Sequence, residues 1–166
     1  MQLGHQDISF DRKTFPITLV CDNIYFQRNI GSLFRISEAF GVEKIIFLGK
    51  NIPLNPRKIN KTSRSTHLHI PYSVIGETKE LIDYLLATNY EIIALEITNT
   101  SKPLQEIVIP TSKKIALIVG SEINGICNEI LTISNQTVHI NMFGENSSMN
   151  VVQATSIALY ELINKE

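Results

Sequence analysis

The chain has no tryptophan, only two cysteines and a formal net charge of −1 in 166 residues. Each scarcity excludes something. Two cysteines, Cys21 and Cys127, cannot build a disulfide scaffold or an all-cysteine zinc site, and they fit a reducing compartment. Both stand in apolar surroundings and read as buried small hydrophobes. The near-zero net charge excludes a histone-like basic coat, though not a local basic patch. No apolar stretch reaches membrane-spanning length, and the opening MQLGHQDISFDRKTF lacks the apolar centre of a signal peptide. A cytoplasmic protein is expected. Familiar nucleotide and hydrolase signatures are missing too. No GxGxxG follows the first apolar run, no Walker A lysine loop occurs, and no GxSxG elbow occurs. His67-x-His69 offers two imidazoles with nothing at suitable spacing to complete a metal site, so no metal is expected and the pair reads as exposed.

What is present is a globular composition, 43% hydrophobic and 19% charged, enough for a sizeable core. The length predicts one domain over 1–166, with residues 1–15 as an N-terminal appendage. Strands are predicted over 16–21, 44–48, 91–96, 114–120 and 137–140, with 68–72 as a further extended segment. The run KIALIVG at 114–120 is the most apolar and predicts a central parallel strand buried on both faces. Helices are predicted over 29–40, 77–87, 126–131 and 148–164. In the first, Ile30, Leu33, Phe34, Ser37 and Phe40 share one face and Arg35 lies off it; Asn29 is a candidate cap and Gly41 a stop. The last is apolar on two faces, as for a helix between layers or at a subunit contact. Residues 50–69 and 98–114 read as loops. The alternation predicts an α/β fold with a mostly parallel central sheet.

In such sheets ligands gather at the carboxyl ends of strands. Three polar segments fall there: Asn23–Gly41, Gly120–Gly125 and His139–Asn150. Singly, each also reads as an ordinary structural turn or helix cap. Together and in this order they resemble the SpoU-type family of RNA ribose 2′-O-methyltransferases, within the SPOUT superfamily. The first motif is matched by Asn29-Ile-Gly31-Ser-Leu-Phe-Arg35 and Ala39-Phe40-Gly41, the second by Gly120-Ser-Glu122-Ile-Asn-Gly125. The third is matched by Ile140-Asn141-Met142 and Ser148-Met149-Asn150-Val151. Asn141 stands where the family has proline, and Met149 where it has leucine, a volume-conserving change.

The resemblance implies an α/β knot with a C-terminal trefoil, a homodimer with the active site at the subunit contact, and S-adenosylmethionine as cofactor. It implies that Leu95, Glu96, Gly120, Glu122, Ile140, Met142, Ser148 and Met149 line the cofactor site. The catalytic set it implies is Arg35, Asn29, Ser148, Asn150 and Glu122. A guanidinium stays protonated in proteins, so Arg35 suits phosphate positioning and alkoxide stabilisation better than proton abstraction.

RNA needs positive surface. Residues 50–69 hold Lys50, Arg57, Lys58, Lys61 and Arg64 with no acid, in a chain otherwise net acidic. They are the candidate RNA contacts, on a loop expected to order on RNA. The expected substrate is transfer RNA, with ribosomal RNA as the alternative. Two other readings stand beside the enzyme. One is a non-catalytic RNA- or adenosine-binding module of the same fold, which would not need Asn29, Arg35 and Asn150 together. The other is a flavodoxin-like nucleotide-binding domain, which would need a phosphate-cradling loop where this chain has the bulky Ile-Tyr-Phe-Gln-Arg.

Overall fold

The computed structural model describes residues 11–111 and 113–165. Most of the predicted N-terminal appendage, residues 1–10, lies outside them, and Phe15 already belongs to the first strand. Seven strands form one sheet in the order β3-β2-β1-β6-β4-β7-β5. They are β1 (Phe15–Asp22), β2 (Val42–Leu48), β3 (Tyr72–Ile75), β4 (Glu91–Leu95), β5 (Lys102–Pro103), β6 (Ile115–Gly120) and β7 (Gln136–His139). Every pairing between them is parallel. The helices are α1 (Gln27–Ala39), α2 (Pro56–Ser63), α3 (Thr78–Ala87), α4 (Asn128–Ile133) and α5 (Val151–Lys165).

Successive strand side chains point to opposite faces, and the core divides accordingly. Leu19, Phe47, Ile93, Leu117 and Val119 pack with Ile30, Leu33 and Phe34 of α1, Ile59 of α2 and Leu159 of α5. Val20, Ile46, Ile92, Ala116 and Ile118 pack on the other side with Leu81 and Leu85 of α3 and Ile130 of α4. The sheet is therefore a middle layer. Its central strand β6 is buried on both faces between β1 and β4, as its unbroken apolar run predicts.

Four expectations are corrected. The segment 50–69 is not simply a loop: it contains α2, opened by Asn55, whose side chain accepts from the Arg57 and Lys58 amides, with Pro56 in the first turn. Residues 68–72 are not extended throughout; a short 3₁₀ turn at Thr66–Leu68 precedes β3. Within 98–114, β5 adds a short parallel strand beside β7, and Leu104 and Ile107 are buried. The last helix starts at Val151 rather than Ser148, because Asn150 caps it: its side-chain oxygen accepts from the Val152 amide at 2.9 Å. Thr155, Ala158, Leu159 and Leu162 are buried, while Gln153, Ile157, Tyr160 and Asn164 face solvent.

Candidate functional site

Strands β1 and β6 are neighbours, and Asp22 pairs in register with Gly120 at their carboxyl ends. The helices that follow them, α1 and α4, pack on opposite faces of the sheet. A crevice opens where successive connections part in this way. Three polar side chains from three segments meet there. The Asn29 amide donates to Glu122 Oε1 at 2.7 Å. The Asn150 amide donates to the same oxygen at 3.1 Å and to the Asn29 side-chain Oδ1 at 3.3 Å. Asn29 is not the cap of α1, as its residue type suggests. The helix begins two residues earlier and has no side-chain cap bond, which leaves the Asn29 side chain for Glu122. Asn29 is buried, whereas Glu122 and Asn150 are exposed, so the cluster forms an accessible floor.

Beside it lies a cavity of about 450 Å³ at the ends of β4, β6 and β7, within the size range of small-molecule sites. All eight residues expected to line a cofactor site border it: Leu95, Glu96, Gly120, Glu122, Ile140, Met142, Ser148 and Met149. Asn141 falls between two lining residues but is itself exposed and does not border the cavity. Ser148 borders the cavity and not the three-residue cluster.

The cavity wall is held by two carboxylates. Glu96 Oε2 accepts from the Ile126 amide at 3.0 Å, and its Oε1 accepts from Ile97 at 2.9 Å. Asp22, 1% exposed, accepts from the Cys127 amide at 2.8 Å and from Asn23 at 2.7 Å. Between these anchors the loop turns tightly: Gly125 has φ +64° and its amide donates to Ser121 at 2.8 Å. A Cβ on Gly120 would sit 2.2 Å from the Gly125 carbonyl carbon, so only glycine permits this fold-back.

Sequence reasoning missed Asp22, since a charged residue at a strand end reads as solvated. It also missed Ile97, Thr98, Ile126 and His139 on the cavity wall. His139 Nδ1 lies 2.9 Å from Ser101 Oγ, which fixes the ring. The lining role of residues 97 and 98 was signalled by their position just past the third strong apolar run.

Arg35 is exposed, six residues beyond Asn29 on α1, and does not border the cavity. It is one turn after Gly31 on the same side of the helix. Gly31 is where α2 docks: a Cβ there would meet Thr62 Oγ1 at 1.8 Å and the Ile59 carbonyl at 2.9 Å. The glycine thus admits a neighbouring helix of the chain itself. On α2, Ile59 and Ser63 are buried, while Arg57, Lys58, Lys61 and the following Arg64 are exposed without a carboxylate partner among the described residues. Lys50 departs from this set. It pairs with Glu77 at 2.7 Å, and that bonded carboxylate raises its pKa. Its partner is a surface carboxylate, which the α2 cations lack among the described residues.

The histidine pair is not exposed as a unit. His67 is half-buried against the Phe34 ring and bonded to Ser63 Oγ at 2.8 Å. Among the described residues, no three His, Cys, Asp or Glu side chains are grouped to hold a metal, and no helix is long and apolar enough to cross a membrane. Cys21 is buried, and burial with the neighbouring Asp22 charge drives its pKa well up. Cys127 is only half-buried; partial burial raises its pKa too, which leaves both thiols poor nucleophiles.

Comparison with known proteins places this geometry. The curated relatives include the 23S rRNA (guanosine(2553)-2′-O)-methyltransferase RlmP of Bacillus subtilis, 27% identical over 144 residues, covering 87% of this chain and 56% of that protein. They also include the tRNA (guanosine(18)-2′-O)-methyltransferase of Borreliella burgdorferi, 28% identical over 153 residues, covering 91% and 67%. The chain thus spans between about half and two thirds of the length of such relatives. The fold is that of the TrmH/SpoU tRNA modifying enzyme of A. aeolicus, with a TM-score of 0.81 at 23% identity over 93% of this chain and 77% of that one. It is also that of the SpoU methyltransferase AviRb of Streptomyces viridochromogenes solved with AdoMet, at a TM-score of 0.79 and 22% identity over 98% and 61%. The model of the SpoU rRNA Methylase family matches residues 16–160, and the chain belongs to that family.

Proposed function

We propose that this chain transfers the methyl group of S-adenosylmethionine to a ribose 2′-hydroxyl of RNA. The observation that carries the reading is the Asn29–Glu122–Asn150 cluster at the edge of the cavity, with Glu122 belonging to both. A binding module would have no need of it.

The cavity suits the cofactor. Its wall offers apolar surface from Leu95, Ile126, Ile140 and Met149 for an adenine, and the glycine fold-back at 120–125 brings backbone to the cavity wall. Bound there, the sulfonium would supply an electrophilic methyl and leave as the neutral thioether, with the 2′-hydroxyl proton passing to water at the open cavity edge. The chain's residues must hold the ribose and carry the charge that develops on its oxygen. Glu122 fixes the Asn29 and Asn150 amides, so neither reorganises when a hydroxyl arrives. To Arg35, which lies outside the cavity of its own chain, we assign the holding of a phosphate and the stabilisation of the forming alkoxide. Ser148, on the cavity wall, orients the sugar edge.

The exposed cations of α2 serve as the phosphate contacts, and Lys50 is their structural neighbour. We take transfer RNA as the first substrate to test, given the similarity to the Borreliella enzyme; the equal similarity to RlmP makes ribosomal RNA the second. The exposed stripe Gln153, Ile157, Tyr160 and Asn164 on α5 supports a homodimer, whose partner would bring its Arg35 to each cavity edge. A trefoil knot formed by the cavity loops, a single domain over 1–166 and a cytoplasmic location complete the proposal. Calorimetric titration with S-adenosylmethionine tests it first. Micromolar-range binding, followed by 2′-O-methylation of bulk transfer RNA or ribosomal RNA, is expected. Binding without methylation of either RNA favours a non-catalytic module.

A further inference from the structure

The segment between β1 and α1 carries side chains that the mechanism above does not use. Phe26 is 61% exposed and Tyr25 is 45% exposed. Phe26 is anchored through its backbone and Tyr25 through its hydroxyl. Phe26 occupies the cap position of α1 in extended conformation, and its carbonyl accepts from the Ile30 amide at 3.1 Å. The Tyr25 hydroxyl donates to Asn23 Oδ1 at 3.1 Å. Arg28 is exposed and has no carboxylate partner among the described residues. Gln27 donates to the Pro53 carbonyl at 3.3 Å, which ties this segment to the approach of α2. Two exposed aromatics and an unpaired guanidinium among the described residues therefore adjoin Asn29 in the chain, on a segment tied to the approach of α2.

Exposed rings flanked by cations are what unpaired nucleotides bind. Every base has a π-face to stack, and the backbone needs neutralising alongside it. A duplex offers no free base face to such a ring. We infer that Phe26, supported by Tyr25 and Arg28, stacks an unpaired base next to the methylated ribose, so that the chain selects loops rather than helical RNA. The inference rests on the proposed RNA reading. Phe26 lies three residues before Asn29, so a stacked base holds the neighbouring ribose close to the cluster. Arg28 meets the phosphate between them.

The test is fluorescence anisotropy on the full chain. One probe is a short labelled single-stranded RNA of mixed sequence, the other the duplex it forms with its complement. The single strand is expected to bind more tightly than the duplex. Phe26→Ala should weaken single-strand binding by ~5- to 100-fold, while Phe26→Tyr keeps the ring and the affinity. Because stacking releases no counterions, Phe26→Ala leaves the salt slope unchanged, whereas Arg28→Ala lowers it by ~0.7. Unchanged binding by Phe26→Ala, equal affinity for the duplex, or no RNA binding by the wild type would each overturn the inference. So would a Phe26→Ala protein that sediments as a smaller species than the wild type, because the ring would then belong to a contact between copies. A protein that binds no S-adenosylmethionine yet loses RNA affinity with Phe26→Ala would sink the methyl-transfer reading and leave the stacking of an unpaired base on Phe26 standing.

Discussion

The Asn29 amide donates to Glu122 at 2.7 Å although 93 positions separate them in the chain. One residue comes from the first turn of α1 and the other from the loop after β6, so the bond closes the crevice between neighbouring strands β1 and β6. Asn150 reaches the same carboxylate oxygen from the cap of α5. A single carboxylate thus sets the relative position of three segments at the cavity edge.

Removing that carboxylate should be felt both in stability and in rate. Glu122→Ala leaves the buried Asn29 amide without its acceptor, a loss of ~1–3 kcal/mol. At 166 residues that corresponds to a Tm lower by ~2–10 °C in a thermal melt. Methyl transfer should fall at least about tenfold, because Asn29 and Asn150 are no longer held in place. Glu122→Ala and Asn150→Ala combined should cost less than the sum of the two, since both break the same bonds. Strict additivity would show that the cluster does not act as a unit.

Arg35→Ala separates chemistry from folding. The side chain is exposed and borders no part of the cavity, so stability and S-adenosylmethionine affinity by calorimetry should be nearly unchanged. Transfer should drop by ~10²–10³, the scale for losing one charged donor at a developing oxyanion. Arg35→Lys should rescue little, because the ammonium lacks the planar fork. Wild-type rates in Arg35→Ala would remove the residue from the mechanism.

The strands were the most legible part of the chain. The apolar runs of β1, β4 and β6 have no polar phase, which fits burial on both faces, and the structure places them side by side. Helix α2 was harder, because Ile59 is its lone large apolar residue and gives no period to read, although Asn55-Pro56 carries a start signal. Asn29 misled for a physical reason: asparagine is a good cap, and only the tertiary partner Glu122 decides that its side chain serves elsewhere. Asp22 left no local trace, since its partner, the Cys127 amide, is 105 residues away. The cavity lining was legible only through ordered motifs, because contacts among four separate loops have no signature within any one of them.

Gly31→Ala tests how α2 is seated. The added methyl would collide with Thr62 Oγ1 and crowd the Ile59 carbonyl, and the second of these cannot rotate away. Overpacking of this kind costs ~1–3 kcal/mol. Displacement of α2 should also weaken RNA binding in an electrophoretic shift assay while S-adenosylmethionine affinity holds, since the cavity is built from other loops. Equal losses for both ligands would mean that the damage is global.

The basic face of α2 and its neighbour Lys50 make opposite predictions from similar residues. Lys58, Lys61 and Arg64 are exposed and unpaired among the described residues, whereas Lys50 is held by Glu77 at 2.7 Å. Each cation that neutralises a phosphate contributes ~0.7–0.9 to the slope of log K against log salt. Replacing Lys58, Lys61 and Arg64 by alanine together should therefore lower that slope by ~2–3 and weaken binding at physiological salt, whatever the RNA sequence. Lys50→Ala should leave the slope in place, because its charge is already matched within the protein. Should Lys50→Ala move the slope as far as one of the α2 cations, the pair with Glu77 must open on RNA, and residues 50–64 would act as one basic surface.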